Sequence, residues 1–405
     1  MSRDGRRPRL LVFNQYYWPG LEATAYLLSD LCAALADDFD ITVITGRILV
    51  HAPEAGRFTH EGVDILRVRS AAYDRRRLPL RAVNYLTYME ESLREGLAAE
   101  PPDAVLCMTD PPLIGNVAHA VARRFDVPLV VISQDVFPEI AVEVKRLENR
   151  PLIALLRVLI NLYLRRADRV VAIGDTMRRR LEAKGVPSNR ITVIPNWVDT
   201  TAIVPQPRDN EWSRAHGLDG RFVVMHSGNV GHAQNLEVLV RATTFLRDLE
   251  DLAVVVIGGG ARLLELTGLA EILEADSVDF HGYQPRETLS HSLSAAHLHF
   301  VGLGRGLSGY VVPSRLYGIL GAGRPVLVAA DRDSETAMVV ERVGCGIVVP
   351  PGRPDLVAEA IRSAHDGAYD LEEMGRRGRE YVVAEADRSV AVRRYRELLH
   401  GIASG

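Results

Sequence analysis

Hydrophobic and polar positions follow two different rhythms along the chain. Short β-branched runs predict strands, and the longer amphipathic segments between them predict helices. In the first half the predicted strands are LLVFN, DITVIT, VDILRV, DAVLCM, VPLVVIS and RVVAI. The segment ATAYLLSDLCAALAD places Tyr26, Leu27, Leu31, Ala34 and Leu35 near one face of a helix. This alternation is typical of parallel sheets with crossover helices, so the sequence predicts an α/β fold.

The alternation is interrupted once, at an extended connector. TTAIVPQPRDNEW contains Pro205 and Pro207, and the pattern then restarts with RFVVMHSG, LAVVVIGGG, SVDFHGY, AHLHFVGLG, RPVLVAA and GIVVP. After about Ala384 one more amphipathic helix is predicted, with no strand following it. The sequence therefore predicts two doubly wound parallel-sheet domains, over 1–200 and 201–383, and a C-terminal helix over 384–405.

Length and composition agree with two ordinary globular domains. The chain has 405 residues, of which 47% are hydrophobic and 25% charged. A formal net charge of −4 provides no global attraction to nucleic acid, so no nucleic-acid partner is expected. Cys32, Cys107 and Cys345 match no zinc spacing and lie in apolar stretches, which predicts that they fill the core.

The membrane relation of the chain is expected to be peripheral at most. The first apolar run is too short for a signal peptide, and no later segment reaches ~18 uninterrupted apolar residues, so a cytoplasmic location is expected. The run Arg75, Arg76 and Arg77 is most simply a solvated loop. Beside the amphipathic LPLRAVNYLTYMEESL, this run could also touch anionic lipid or a lipid-linked acceptor.

Four loops after predicted strands are candidates for chemistry. In open parallel sheets, ligands bind outside the carboxyl ends of strands, where glycine-rich turns bring backbone amides to phosphate. The loops are NQYYWPGLEATA, HSGNVGHAQNLE, IGGGAR and GLGRGLSGYVVPSRLYGILGAGRP. Each glycine cluster alone could be a plain tight turn. The glycine clusters of HSGNVG and IGGG, together in the second predicted domain, indicate a phosphate-binding edge.

The fourth loop carries the sharpest signal. Pro313 is predicted at the first position of a short helix, with Ser314 and Arg315 in its first turn. A cation there opposes the helix dipole by a few tenths of a kcal/mol, unless an anionic ligand removes the penalty. The alternative for Arg315 is a solvated surface arginine.

These motifs resemble one enzyme family over residues 9 to 385. SGNVG, IGGG, FHGY and VVPSRLYGILGAGRP are similar to the donor-binding half of retaining family-4 glycosyltransferases of the GT-B fold. NQYYWPGLEATAYLLSDL, DPPLIGNVAHAVARRF, SQDVFPE and VIPNWVD resemble its acceptor-binding half, particularly in members that assemble bacterial capsule, O-antigen and exopolysaccharide. The resemblance implies two Rossmann-like domains facing each other across a cleft. It also implies transfer of a sugar from a nucleotide diphosphate donor, with retention and without a protein nucleophile, to a sugar, lipid-linked or small-molecule acceptor.

The resemblance assigns roles residue by residue. Arg315 and Asp135 would act in catalysis, and Glu22, Asp135 and Glu139 would lie at the acceptor. The donor-binding residues would be Thr24, Gly228, Asn229, Gly231, Gly259, Arg262, Tyr283, Gln284, Val312, Pro313, Ser314, Arg315 and Leu316. Tyr283 and Gln284 would meet the base largely through backbone groups. No organic cofactor and no metal are expected, because no Asp-rich cluster stands beside the glycine loops.

The chain departs from the family pattern at several places. Many members have two glutamates eight positions apart, where this chain has Tyr310 and Gly318. The resemblance therefore does not imply the sugar-hydroxyl and ribose contacts that those carboxylates make in other members. The common Arg/Lys pair after the first strand of the second domain is absent, with His232 and Gln234 in that region. Arg315, where members often have lysine, and Arg262 are expected to supply most of the positive charge.

Other interpretations remain open at this stage. Asp135 could simply cap a turn, and His291, His297 and His299 are better explained by packing than by metal binding. A sugar-nucleotide epimerase shares the architecture but would need opposed acid and base groups, of which no convincing set is found. A non-catalytic nucleotide-sugar binding protein is suggested by the replaced glutamates. A pyridoxal-phosphate phosphorylase is disfavoured, because both lysines precede the second domain.

Overall fold

The chain is described by a computed structural model over residues 6–20, 22–47, 54–71 and 78–403, with the side chains of 78–81 left aside. Contacts divide it into two units. Unit 1 comprises Met1–Pro195, Gly309–Val311 and Ala391–Gly405, and unit 2 comprises Asn196–Ser308 and Val312–Val390. The division falls before 200, and three residues expected in the second domain group with unit 1.

Unit 1 contains an eight-stranded sheet with the order β3-β4-β2-β1-β5-β6-β7-β8. Its neighbours pair in parallel except β3 and β4. The strands are β1 (Arg9–Phe13), β2 (Asp40–Thr45), β3 (Gly56–His60), β4 (Val63–Arg67), β5 (Ala104–Cys107), β6 (Leu129–Ser133), β7 (Arg169–Ala172) and β8 (Ile191–Val193). All six strands expected in this half are present, and β3 and β8 were not expected.

The helices of unit 1 connect these strands, and the last one returns from the far end of the chain. They are α1 (Ala23–Leu35), α2 (Leu78–Leu97), α3 (Ile114–Phe125), α4 (Glu139–Glu143), α5 (Arg150–Arg166) and α6 (Asp175–Ala183). From Ala391 onward, the C-terminal helix (Arg388–Ala403) also belongs to unit 1. Its Arg396 pairs with Asp38 at 2.7 Å, and its His400 ring packs on Phe39.

Unit 2 contains a six-stranded, wholly parallel sheet with the order β11-β10-β9-β12-β13-β14. The strands are β9 (Phe222–Ser227), β10 (Leu252–Ile257), β11 (Val278–His281), β12 (Leu298–Gly302), β13 (Val326–Ala329) and β14 (Gly346–Val349). Every one was predicted from its apolar run. β10 and β12 are buried at every position, as central strands covered on both faces must be.

The helices of unit 2 cover its sheet and end at the chain's return to unit 1. They are α7 (Glu211–Ala215), α8 (Glu237–Ala242), α9 (Leu263–Ile272), α10 (Leu289–Ser294), α11 (Arg315–Gly321), α12 (Glu335–Val343), α13 (Pro354–His365) and α14 (Leu371–Glu385), and the C-terminal helix that follows is α15. Asn210 caps α7 and Ser334 caps α12 with side-chain hydrogen bonds, which fixes where these helices begin.

The structure describes only part of the segment in which the sequence suggested a membrane contact. Arg75, Arg76 and Arg77 fall outside the described residues. In the part of the chain that the structure covers, none of the helices has both the length and the hydropathy needed to cross a bilayer. Cys32, Cys107 and Cys345 are buried free thiols, as their apolar surroundings predict.

Candidate functional site

Glycine turns form the carboxyl edge of the sheet in unit 2. Gly228 follows β9, Gly258 to Gly260 follow β10, and the order β10-β9-β12 makes these turns neighbours. The strand order reverses between β9 and β12, since β10 and β11 lie on one side of β9 and β12 to β14 on the other. Ligands of doubly wound sheets bind at such a switch point.

The two glycine turns interlock through their backbones. Gly228 donates its N–H to Ile257 O at 2.9 Å, and Val230 donates to Gly259 O at 2.8 Å. A Cβ on Gly258 would lie 2.0 Å from Gly228 O, and one on Gly260 would lie 2.2 Å from Val230 O. Gly258 also has φ of +132°. Only glycine fits these turns, which leave a surface of bare backbone at the strand ends.

Arg315 reaches this surface from α11. It is the first residue of the helix, and Ser314 is the N-cap, so Pro313 lies outside the helix rather than at its first position as expected. One Nη of Arg315 donates to Asn229 O at 3.1 Å, and the other contacts the His226 ring, 3.0 Å from Nδ1 and closer still to Nε2. Gly228 leaves room for this guanidinium, 3.4 Å from where its Cβ would be.

The guanidinium of Arg315 is held by neutral acceptors. Burial lowers its pKa to about 10, which still leaves it charged at neutral pH. Among the described residues, its hydrogen-bond partners are a ring nitrogen and a carbonyl, neither of them anionic. A half-buried cation without a carboxylate is costly in isolation. The arrangement therefore suits an anionic ligand at this edge.

His226 is a functional candidate that the sequence analysis overlooked. It is fully buried at the end of β9, and burial together with the Arg315 charge holds its pKa well below the usual value, so the ring is neutral. Its Nδ1 lies 3.4 Å from Phe300 O. Placing the proton on Nδ1, toward that carbonyl, leaves Nε2 to accept from Arg315. The signal available was its place as the first residue of the loop HSGNVG.

The charge of Arg262 is compensated by neighbouring carboxylates. Arg262 lies at the N-cap of α9, as a residue just before the helix rather than in its first turn. Its guanidinium pairs with Glu265 at 2.6 Å and with Glu237 at 3.7 Å. Two carboxylates compensate its charge, so Arg315 is left as the main cation among the assigned donor residues.

Tyr283 and Gln284 follow β11 and stand beside the glycine turn. Tyr283 is half exposed, and its hydroxyl donates to Gly259 O at 3.0 Å. The side chain of Gln284 accepts from Trp212 Nε1 at 2.8 Å. The Tyr283 hydroxyl and the Gln284 amide are thus both hydrogen-bonded to other protein groups. Contact with a base through backbone groups, as the resemblance implies, stays a prediction.

The segment Val312 to Leu316 offers fewer backbone N–H groups to a ligand than the resemblance implied. Pro313 has no N–H, and the Leu316 N–H donates to Pro313 O at 3.2 Å. Gly231 similarly donates to the side chain of Gln234 at 3.0 Å. Ser314 and Arg315 are therefore the better candidates for backbone contacts with a ligand.

Asp135 belongs to a corresponding edge in unit 1. It follows β6, Asp110 follows β5, and Gln15 follows β1, three neighbouring strands. Gln15 donates its N–H to Asp110 O at 2.8 Å. Burial, and then the nearby Asp110 carboxylate, raise the pKa of Asp135 to about 7. A carboxyl tuned to neutral pH can hold or release a proton under working conditions.

The other residues assigned to the acceptor differ in character. Glu22 is the N-cap of α1 and makes no side-chain cap hydrogen bond, and Thr24 lies in the first turn. Glu139 is instead committed within unit 1: its carboxylate lies 2.7 Å from Lys184 Nζ and 3.0 Å from Arg157 Nε. Burial alone would raise its pKa, but the contacts with Lys184 outweigh burial and lower it. Its position is thus explained by these ion pairs.

The positions that depart from the family pattern pack against protein. The Tyr310 ring lies under the Arg180 guanidinium, 4.3 Å away, and Tyr310 O accepts from the Val136 N–H at 2.9 Å. Gly318 faces Leu293. Neither supplies a carboxylate.

The histidines considered for metal binding are hydrogen-bonded to backbone. His299 Nε2 lies 2.8 Å from Leu293 O, and His297 Nδ1 accepts from the Val223 N–H at 3.1 Å. Over the described residues there is no group of three His, Cys, Asp or Glu placed to hold a metal.

Comparison with known proteins accounts for nearly the whole chain. Residues 23–197 match the model of a glycosyl transferase 4-like domain, and residues 208–381 match that of glycosyl transferases group 1. WbjE of Pseudomonas aeruginosa, named as a glycosyltransferase, is 27% identical over 267 residues, 64% of this chain and 65% of that protein. WcaI of Escherichia coli K12, named for colanic acid biosynthesis, is 26% identical over 205 residues, 50% of each. The chain thus spans less than two thirds of these relatives.

A solved structure shares the fold over the full length. The Anabaena protein HepE in complex with UDP-glucose superposes with a TM-score of 0.74 at 15% identity, covering 98% of this chain and 100% of that one. The two parallel-sheet units are those of a GT-B fold.

Proposed function

Because the chain belongs to the family-4 glycosyltransferases, we propose that it transfers a sugar from a nucleoside diphosphate sugar to an acceptor. The observation that carries the proposal is the Arg315 guanidinium, held at the glycine-lined strand ends of unit 2 by the neutral His226 ring and the Asn229 carbonyl, with no acidic partner in the part of the chain that the structure describes. Its charge remains available to a diphosphate. HepE, of the same fold, is named in complex with UDP-glucose, which supports a uridine diphosphate sugar as donor.

The proposed donor site uses four features of unit 2. The bare backbone of the Gly228 and Gly259 turns lets phosphate approach closely, and Asn229 adds an uncharged polar side chain. Ser314 and Arg315 begin α11, the Arg315 side chain reaches Asn229 O, and Tyr283 borders the glycine turn through Gly259. Arg315 then stabilises the negative charge that grows on the leaving diphosphate, which is a contact stronger in the transition state than in the bound substrate.

The proposed reaction retains the anomeric configuration without a protein nucleophile. The leaving diphosphate, stabilised by Arg315, helps to deprotonate the acceptor hydroxyl. The proton of that hydroxyl leaves with the diphosphate, and Asp135 in unit 1, with a pKa of about 7, is proposed to hydrogen-bond and orient the acceptor. No metal is required in this scheme, because the guanidinium supplies the positive charge.

The proposed acceptor is a sugar, a lipid-linked saccharide or a small molecule, with at most peripheral contact to a membrane. A relative named for colanic acid biosynthesis favours a saccharide acceptor in polysaccharide assembly.

A panel of nucleoside diphosphate sugars tests the proposal. The purified chain is incubated with each donor and with candidate acceptors, and mass spectrometry follows nucleoside diphosphate release and the product mass. We expect release with one or two donors, dependent on acceptor and lost in Arg315→Ala. Tight donor binding without release under any acceptor would instead indicate a binding protein, and a changed donor sugar would indicate an epimerase.

A further inference from the structure

Arg67 of unit 1 is a buried cation that uses little of its hydrogen-bonding capacity. It is the last residue of β4, and only 1% of it is exposed. One Nη donates to Trp18 O at 2.6 Å, whereas Nε and the other Nη have no hydrogen-bond partner in the described part of the chain. Burial lowers the pKa of Arg67, but a guanidinium keeps its charge in proteins. Burial is the only cause of that shift, so no carboxylate of the described residues compensates the charge.

The unused N–H groups of Arg67 include a complete fork for an oxyanion. A guanidinium has five N–H groups, one on Nε and two on each Nη. The Trp18 carbonyl takes one of the two on its Nη. If it takes the one on the Nε side, the two Nη atoms still form the end-on pair; if it takes the other, Nε and that Nη form the side-on pair. In either case two parallel N–H groups are left for a carboxylate or a phosphate.

The surroundings of Arg67 hold its guanidinium in place without neutralising it. The Cζ atom lies 5.4 Å from the centre of the Phe58 ring. The Trp18 ring stacks on His60 at 4.1 Å between centroids, and the Trp18 N–H donates to Ser29 Oγ at 3.0 Å. These contacts position the carbonyl that binds Arg67. The fork is thus oriented before any ligand arrives, which lowers the entropy lost on binding.

An acceptor atom without a partner lies at the same strand ends. Thr45 is beside Arg67 in the sheet, and its hydroxyl donates to Gln15 O at 3.0 Å. The buried Gln15 donates through Nε2 to Asn84 Oδ1, and the Asn84 amide is oriented by its own donation to Ala71 O at 2.5 Å. Gln15 Oε1 is therefore left as an acceptor, and it has no hydrogen-bond partner among the described residues. A sugar hydroxyl is a suitable donor to it.

We propose that Arg67 binds an anionic group, a carboxylate or a phosphate, on a saccharide acceptor. The proposal rests on the proposed function and specifies its acceptor as an acidic or phosphorylated saccharide. The fork binds the oxyanion, and Gln15 Oε1 accepts from a hydroxyl of the same molecule. The guanidinium reaches the loop after β1, whereas Asp135 follows β6, two strands away or about 10 Å at the usual strand spacing. Arg67 therefore holds a part of the acceptor other than the reacting hydroxyl.

Urea unfolding without ligand distinguishes an anion site from a structural arginine. Arg67→Met removes a buried cation that lacks partners, so the urea midpoint is expected to stay the same or to rise. Arg379→Met is the matched control. Its guanidinium donates to Thr200 O at 2.7 Å and to Ile203 O at 2.6 Å, so its replacement should lower the midpoint. An equal loss in the two variants would mean that Arg67 stabilises the fold, and the proposal would be wrong.

Small probes then test binding in the full chain without any sugar donor. The midpoint is measured in the Arg315→Ala background, so that the proposed donor edge does not contribute. Methyl glucuronide carries a carboxylate and glucose 1-phosphate a phosphate, whereas methyl glucoside is neutral and inorganic phosphate has no sugar. We expect one anionic sugar to raise the midpoint, which identifies the anion. Its binding should weaken roughly tenfold or more in Arg67→Met and less in Arg67→Lys, which keeps the charge but not the fork.

Four results would overturn the inference: no shift with either anionic sugar, an equal shift in Arg67→Met, an equal shift with methyl glucoside, or an equal shift with inorganic phosphate. The donor edge is tested apart from Arg67, because UDP should raise the midpoint of Arg67→Met as much as that of the wild type. If UDP fails to do so in the wild type while an anionic sugar still binds through Arg67, the proposed function is wrong and the anion site stands. The opposite pattern removes the anion site alone.

Discussion

At the scale of single residues, the chemistry of the candidate site depends on which charged side chains are paired with an opposite charge. Arg262 and Glu139 are each paired with opposite charges, whereas Arg315 is held by neutral atoms. Pairing is a property of three-dimensional neighbours such as Glu237, which lies 25 positions before Arg262 in the chain. The sequence could show that arginines stand near glycine loops. It could not show which one keeps its charge for a ligand.

Replacing Arg315 should damage catalysis more than stability. Arg315→Ala is expected to lower kcat/KM by a factor that corresponds to roughly 2 to 4 kcal/mol of lost transition-state stabilisation. Both kcat and donor affinity should fall, because the contact strengthens as the diphosphate leaves. Arg315→Lys should recover much of the loss. Steady-state kinetics with the identified donor measures both. Arg262→Ala is the matched control and should have little effect on kcat, since its charge is already paired. If a folded Arg315→Ala variant kept kcat/KM within about threefold of the wild-type value, the assignment of the diphosphate site to this loop would be wrong.

His226 should behave as a positioning residue for Arg315. His226→Leu removes the ring acceptor in the buried site and is expected to lower kcat/KM by about 1 to 2 kcal/mol. His226→Gln offers an oxygen acceptor and should lose less, whereas His226→Glu should pair with the guanidinium and approach the Arg315→Ala level. The comparison of the three separates positioning from packing. Equal activity in the Leu, Gln and Glu variants would show that the ring has no part in orienting Arg315.

Asp135 should make stability depend on pH. Its pKa is about 7 when folded and 3.8 when exposed, so the folded state binds more protons between these values and stability falls as pH rises from about 4 to about 7. Asp135→Asn should therefore stabilise the chain by about 2 to 4 kcal/mol at pH 8 and have little effect at pH 4. Urea unfolding at both pH values measures this. A destabilised Asp135→Asn at pH 8 would contradict the burial account.

At the scale of elements, the sequence predicted the buried strands better than the edges. All six strands of unit 2 were predicted, and the clearest is β10, whose continuous apolar run LAVVVI reflects a central parallel strand buried on both faces. β3 was missed because its pattern GRFTH is half polar, as an edge strand can be. The turn of Glu61 and Gly62, both with positive φ, joins it to β4, and the EG pair was the available signal.

In the candidate site, too, some features could be predicted from the sequence and others could not. The glycine loops and their place at strand ends were predictable, since glycine and strand boundaries are local features. The exact start of α11 was not, because Ser314 rather than Pro313 borders the helix in the folded chain. The hydrogen bond from the Leu316 N–H to Pro313 O was not predictable either, because it depends on where the helix begins.

The interlocked turns of unit 2 should tolerate no side chain. Gly258→Ala would place a Cβ 2.0 Å from Gly228 O at φ of +132°, and is expected to destabilise the chain by roughly 2 to 4 kcal/mol. Gly268→Ala is the matched control: it lies within α9 with nothing inside 4 Å, and should stabilise by about 0.5 to 1 kcal/mol. Denaturant unfolding of both variants gives the comparison. An unchanged midpoint for Gly258→Ala would mean that the turns can separate.

At the scale of the whole molecule, charge is distributed against the overall sign. The chain carries −4, yet the proposed donor edge presents a guanidinium without an acidic partner among the described residues, and α5 presents four arginines. An anionic donor would thus meet local positive charge at the proposed site although the chain as a whole is slightly acidic.

This distribution also determines whether a metal is needed. Many enzymes place Mg²⁺ or Mn²⁺ on a leaving diphosphate to compensate its charge, and such an ion needs two or more oxygen ligands from the protein or substrate. In the described ranges, no group of three His, Cys, Asp or Glu is placed to hold one, and in the proposed donor site the Arg315 guanidinium would supply that charge. Turnover in excess EDTA is therefore expected to stay within about twofold of the untreated enzyme. Added Mg²⁺ should not raise it, and Arg315→Ala should remain the larger perturbation. If chelation abolished activity and Mg²⁺ or Mn²⁺ restored it, the positive charge at the leaving group would belong to a metal, and Arg315 would be reduced to a binding residue.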